Sequence, residues 1–310
     1  MKNFARLAAL ILAFSLTAAF AGSDDGKTVM NDKNTAAATE AEKSFPFEFE
    51  SEFSYASGAD LQRGFRNTRD LDADYEMGRF IYTPRIAIGI LRLGAEYERF
   101  GFGYNQPAFE LPNTLQSVSA VIGLDTKFSD SILVRFEAQP GLYGAGRLRW
   151  DAFHAPFVFG GTYIYSPTLQ FVFGVSVDYD RSYPVFPGGG IRWRFGANWV
   201  LNAVMPTPRL DYELNRNVTI YGGADLKGSS FRTDERFGTS RGNPQLNNAM
   251  LSYSEIRTGG GVQWKLSNSM KLSVEGGIIP YENYDFFRTV ARYHQEGAGT
   301  YGMVAFNASF

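Results

Sequence analysis

From Ala155 to Asp180 two runs with a period of two meet at a three-residue turn, and this stretch limits what the chain can become. Phe157, Phe159, Gly161, Tyr163 and Tyr165 alternate with Val158, Gly160, Thr162, Ile164 and Ser166. After Pro167 the alternation resumes through Leu169, Phe171, Phe173, Val175, Val177 and Tyr179. Side chains on a strand alternate faces, so each run carries one apolar or aromatic face. The opposite face holds Gln170, Gly174, Ser176 and Asp178, which suits water or a polar lumen. A membrane-crossing strand takes roughly nine to eleven tilted residues and an ordinary globular strand about five or six, and these runs have the greater length. They favour a transmembrane barrel over a soluble β-sandwich, whose strands are shorter and whose apolar face lies in a core.

The ends fit export. Lys2 and Arg6 precede an apolar run from Leu7 to Leu16 and the small-x-small site Ala19-Phe20-Ala21. A basic start, a short apolar middle and small residues at the cut make a secretory signal peptide, and the run is much shorter than the ~20 residues of a spanning helix. Residues 1–21 are therefore expected to be a leader. Residues 22–45, polar and alanine-bearing, bury too little to order themselves and are expected to be a flexible periplasmic segment before a barrel over 46–310. Cysteine is absent, which leaves no disulfide framework and no thiolate metal site. Loss of Lys2 and Arg6 leaves 28 basic against 32 acidic residues, so nothing favours nucleic acid as a partner. Aromatic residues at 15% and 33 glycines suit aromatic girdles and curved strands.

Alternation and turn residues predict an all-β fold: a transmembrane, antiparallel, up-and-down barrel of about fourteen strands, with twelve as the alternative count. The first strand puts Phe47, Phe49, Phe53 and Tyr55 outside and Glu48, Glu50, Glu52 and Ser54 inside. In the second, Leu71, Ala73, Tyr75 and Met77 oppose Asp72, Asp74 and Glu76, and the phase then shifts near Gly78, which reads as a β-bulge. The third sets Leu91, Leu93, Ala95 and Tyr97 against Arg92, Gly94, Glu96 and Glu98. Short connections at Gly89, Ser129–Ser131, Ser166–Thr168, Gly196–Asn198, Asn215–Asn217 and Ser267–Ser269 alternate with mostly longer ones, among them Gly58–Thr68, Arg181–Gly190 and Ser229–Ala249. Short periplasmic turns opposite long outer loops are the outer-membrane arrangement.

From Gly302 the run Val304, Phe306, Ala308 and Phe310 alternates with Met303, Ala305, Asn307 and Ser309. It resembles the terminal strand of bacterial outer-membrane barrels, and the resemblance implies that Phe310 is the signal read by the barrel assembly machinery. Residues 46–310, with stretches such as Pro187-Gly188-Gly189-Gly190-Ile191-Arg192-Trp193 and Met205-Pro206-Thr207-Pro208-Arg209-Leu210, resemble the porin-like outer-membrane barrels, most of all families known only as domains of unknown function. The resemblance implies outer-membrane lipid as the surroundings.

Catalysis finds little support. A nucleophile needs a base, usually histidine, and the only histidines, His154 and His294, fall at a strand edge and in a long loop, where solvated side chains are expected. The run Asp70-Leu71-Asp72-Ala73-Asp74 lacks the glycine and glutamate of a calcium loop. No enzyme, metal site or cofactor is expected. The lumen charges stand out instead: an acidic wall of Glu48, Glu50, Glu52, Asp72, Asp74, Glu76, Glu96 and Glu98, and basic groups Arg92, Arg135, Arg192, Arg194, Arg257 and Lys265 around the rest. So many charges require water or pairing across the lumen. The expected function is a passive channel or transporter for small solutes, with a non-conducting barrel that displays its loops as the alternative. Arg232, Asp234, Glu235, Arg236 and Arg241 make the Ser229–Ala249 connection a candidate constriction loop, expected to fold into the mouth and meet the acidic wall.

Overall fold

A computed structural model describes residues 46–63, 66–103, 110–181 and 184–310; the expected leader and the 22–45 segment lie outside them. The described residues form fourteen barrel strands: β1 (Phe47–Arg63), β2 (Arg66–Tyr82), β3 (Gly89–Gly103), β4 (Thr114–Ser129), β5 (Ile132–Ala138 with Gly141–Ala145), β6 (Phe153–His154 with Phe157–Ser166), β7 (Leu169–Val177), β8 (Val185–Phe195), β9 (Trp199–Val204), β10 (Arg209–Glu213), β11 (Val218–Lys227 with Ser230–Thr233), β12 (Met250–Lys265), β13 (Met270–Phe286) and β14 (Arg292–Glu296 with Gly299–Ser309). Each is antiparallel to the next, and β14 pairs with β1 from Glu48↔Ser309 to Ser57↔Thr300. Phe47 and Phe310 exchange both backbone hydrogen bonds at 3.0 Å. Closure leaves no edge, which hydrocarbon demands because it offers exposed backbone no partner.

The interruptions have local causes. Pro140 and Pro156 lack an N–H and serve only as acceptors, from Ala120 and Gln139 respectively, both at 2.9 Å. In β11 the break falls at Gly228, whose φ of +140° suits glycine and few other residues.

Near the short turns, the outer face is apolar around the barrel, with Phe53, Phe80, Leu93, Ile122, Phe159, Phe173, Ile220, Val274 and Val304 exposed. Aromatic rings crowd that rim: Phe47 stacks on Phe80 at 5.6 Å and Phe310 at 5.9 Å, and Trp199 lies 4.8 Å from Tyr212. An apolar band edged by aromatic residues fits lipid. Phe173 sits in mid-strand on β7, is 51% exposed and faces Gly161 of β6. Phe173→Arg is expected to cost about 2–4 kcal/mol in urea unfolding of barrels refolded into lipid vesicles, against about 0–1 for Phe128→Arg beyond the band.

The two walls differ in height. The unbroken segments of β6 to β10 span 10, 9, 11, 6 and 5 residues, whereas β1, β2 and β13 have 17 each and β12 has 16. Above the low wall, Ser230–Thr233 of β11 pairs antiparallel with β12 and parallel with Gly144–Ala145 of β5. The upper storey is thereby closed by nine strands, β1 to β5 and β11 to β14, while β6 to β10 stop below it. In this storey the faces exchange character. Inside, Phe100, Phe102, Leu115, Tyr143, Phe231, Leu251, Tyr253, Tyr284 and Phe286 form one packed core.

This exchange corrects the reading of β2. Its register runs unbroken from Phe47↔Tyr82 to Ala56↔Ala73 on one side and along β3 on the other, so Gly78 carries no bulge. Tyr75 and Met77 point inward. Asp72, Asp74 and Glu76 lie on the outer face, where the Arg99 guanidinium is 2.6 Å from Asp74 and 3.5 Å from Glu76. The strand has risen out of the apolar band, so the polar side is now the outside. The Gly58–Thr68 connection is also corrected: β1 continues to Arg63 and β2 starts at Arg66.

Candidate functional site

Below the packed core the lumen is charged. Glu48, Glu50 and Glu52 of β1 and Glu96 and Glu98 of β3 project inward, and bases from other strands reach them. The Arg92 guanidinium, 2% exposed, lies 3.1 Å from Glu48 and 3.3 Å from Glu137. Arg79 approaches the other oxygen of Glu137 at 2.5 Å and Glu96 at 3.4 Å. A second group crosses from the far wall: Lys227 Nζ is 2.8 Å from Glu52 and 3.3 Å from Asp225, and Arg257 is 3.5 Å from Glu52 and 2.7 Å from Glu255. Tyr75 donates to Glu98 at 3.1 Å. Buried charge is tolerated when it is paired, and Arg79, Arg92, Lys227 and Arg257 each lie within 3.1 Å of a carboxylate oxygen.

The remaining basic groups are placed as follows. Arg135 holds Asp125 through two bonds of 2.5 and 2.6 Å, Arg194 holds Glu213 through two of 2.8 Å, and Arg192 donates to Asn202 at 3.1 Å. Lys265 is exposed at the rim with the short turns, beside Lys271 in register. A chamber of about 140 Å³, room for several waters, opens in the lower lumen and is lined by Glu50, Glu52, Arg209, Tyr221, Asp225, Lys227, Glu275 and Asn307 among others. Tyr301 donates its hydroxyl to Glu275, and the Arg209 guanidinium stacks over Tyr221 at 4.6 Å.

The candidate constriction loop lies elsewhere. Ser229–Thr233 is wall, and the rest folds over the top, where Phe237 and Leu246 enter the core. Arg232 donates to Asn248 O at 3.2 Å and lies 3.8 Å from Asp180, Arg241 stacks on Phe237 at 4.0 Å, and Asp234 and Glu235 face Arg149 at 4.0 and 3.8 Å. Glu235, Arg236 and Arg241 are exposed. These charges do not meet the acidic wall, because the aromatic core fills the space between.

His154 is buried, not solvated: it is 1% exposed, with Nε2 2.8 Å from Asp178 and Nδ1 3.4 Å from Asp180. Ser230 donates to Asp178 at 3.0 Å and accepts from Arg181 at 3.1 Å, so its hydroxyl faces a carboxylate and a guanidinium rather than the imidazole. Burial alone would raise the Asp178 carboxyl, but the bond to His154, the charge of Arg181 and the Ser230 hydroxyl hold it down to about 2. With its pKa depressed by folding, Asp178 stabilises the fold above the ordinary carboxylate range, and that contribution is lost only as the pH falls toward 2.

Residues 90–309 match a family described as a domain of unknown function, DUF6268. The chain belongs to that family. Among curated proteins nothing matches this DUF6268 chain. Among solved structures it is similar to the deltaS2 mutant of the TodX monoaromatic hydrocarbon channel (10% identity, TM-score 0.45, covering 86% of this chain and 91% of that one) and to the COG4313 outer membrane channel of Pseudomonas putida F1 (7%, 0.44, 88% and 98%). It is also similar to the KdgM porin (11%, 0.35, 85% and 99%). At such identities and scores these likenesses say nothing of what a DUF6268 barrel carries.

Two features of the site escape a strand-by-strand reading. Arg79 and Glu275 gain their place from partners on other strands, Glu137 and Tyr301 respectively, although alternation by itself puts Glu137 on the polar face. The aromatic core was signalled only by parity: Phe100 and Phe102 continue the row of Arg92, Glu96 and Glu98, which marks them as inward.

Proposed function

We propose that this protein is an exported outer-membrane barrel that passes small polar or charged solutes, and that this structure is its closed state. The supporting observation is the contrast between the storeys. The upper one fills its interior with aromatic and aliphatic side chains, whereas the lower one keeps carboxylates, guanidiniums and an unfilled chamber at the level of the lipid band. Ionisable groups at membrane depth are costly and mark water-filled or substrate-bearing space, and fourteen strands enclose more room than side chains fill in an eight-stranded barrel. In this reading the short turns face the periplasm, residues 1–21 direct export, and Phe310, exposed beside Phe47, engages the assembly machinery.

The packed core supports a second reading, a non-conducting barrel that displays its loops. Planar-bilayer recording separates the two. The refolded protein is expected to sit closed with brief openings, and a Phe231→Ala variant, with a hole in the core, is expected to open much more often. Electrical silence of both proteins, with correct folding verified by circular dichroism, favours the non-conducting barrel.

A further inference from the structure

From the way β11 leaves its neighbours, we infer that residues 228–233 are a movable strap and that the seam between this strap and β5 is the gate. The inference rests on the channel reading above and adds the moving part. β12 holds β11 as far as Lys227, while on the other side β10 pairs with it from Thr219 to Gly223 and the Pro208 and Pro206 carbonyls accept from Ala224 and Leu226 at 2.9 and 3.1 Å. At Gly228, with its φ of +140°, the chain turns over the top of the low wall, and its β10 neighbour ends at the Pro206-Thr207-Pro208 turn. From there the strap has β12 on one side, through three register pairs from Ser230↔Ser252 to Arg232↔Met250. On the other side it touches β5 through only two, the parallel pairs Arg232↔Gly144 and Thr233↔Ala145. This short seam is what closes the upper storey.

Phe231 and Ser230 are the buried side chains that anchor the strap, beside the partly exposed Arg232–Asp180 pair at 3.8 Å. Phe231 is fully buried, its ring 6.3 Å from Phe100 and 6.4 Å from Tyr143. Ser230 is tied to Asp178 and Arg181 at the top of the low wall. A short seam beside a glycine bend is a two-state element of the hinge kind: swinging the strap from β5 while it stays paired to β12 withdraws Phe231 from the core. Thr207, from the turn directly below, lines the chamber, so the opening connects the charged lumen to the outer side.

The chain contains no cysteine, so an introduced pair is unambiguous. Ala145→Cys with Thr233→Cys puts two cysteines at a register pair on strands spaced about 4.7–4.9 Å, a backbone separation that a disulfide can span. In planar bilayers the oxidised pair is expected to open at least tenfold less often than the same channels after reductant is added. Thr233→Cys alone, 2% exposed as threonine, is expected to react with a membrane-impermeant maleimide supplied from the outer side, while Leu115→Cys, fully buried in the same core on β4, stays unlabelled. Openings that persist unchanged in the oxidised pair overturn the strap and leave the channel reading standing. Labelling of Thr233→Cys without current in any preparation shows that the seam moves but removes the channel reading. Neither labelling nor current overturns both.

Discussion

Replacing Glu137 with alanine is expected to destabilise the barrel by about 3–5 kcal/mol, because it strips a shared partner from two buried guanidiniums at once. Its two carboxylate oxygens are divided between Arg79 at 2.5 Å and Arg92 at 3.3 Å, and both arginines are at most 2% exposed. Glu96 remains beside Arg79 at 3.4 Å, and Glu48 and Asp125 beside Arg92 at 3.1 and 4.0 Å, but the carboxylate that bridges the two guanidiniums is gone. Urea unfolding in lipid vesicles reads the loss. The control is Asp130→Asn in the Lys127–Asp130 pair, whose side chains are 60% and 97% exposed and whose removal is expected to change nothing measurable. A Glu137→Ala barrel as stable as the parent means that water already solvates these arginines, and that the lumen is wetter than its geometry indicates.

Phe231→Ala is expected to cost a further-separated part of the molecule a similar amount, about 3–5 kcal/mol, since a fully buried phenylalanine leaves a cavity that its neighbours close only in part. Those neighbours sit on paired strands: Phe100 on β3, Tyr143 on the Gly141–Ala145 segment of β5 and Leu251 on β12. None has a free backbone with which to collapse inward. The loss is measured by the same unfolding experiment, and Val290→Ala, at 91% exposure, is the neutral comparison. A cost well under 1 kcal/mol for Phe231→Ala means that the upper storey is loosely packed, and with it falls the explanation of why the barrel rests closed.

Much of the fold was legible along the chain. A period of two is a property of the strand itself, so the hairpin of Phe157–Ser166 and Leu169–Val177, the inward glutamates of β1 and β3, the inward Arg192 and Arg194, the short turns and the final count of fourteen follow from local alternation and turn chemistry. The same alternation misled at β2. It tells which residues share a face, but not what medium that face meets. Carboxylates shun lipid, so alternation alone assigns Asp72, Asp74 and Glu76 to the lumen, whereas on a strand that has left the lipid band water lies outside.

What the tertiary structure decided is therefore the content of the lumen. Which base meets which carboxylate depends on strands far apart in sequence, as when Lys227 and Arg257 cross to Glu52. The burial of His154 depends on Asp178 and Asp180, supplied by the far end of the next strand. Above all, the departure of β11 at Gly228 to lie parallel to β5 joins segments nearly ninety residues apart, Gly144–Ala145 and Arg232–Thr233, and turns a fourteen-stranded wall into a nine-stranded cap with an apolar core. No local pattern encodes that pairing. Its stability comes from burying aromatic and aliphatic area contributed by nine separate strands, a sum over long-range contacts that exists only once the barrel has closed.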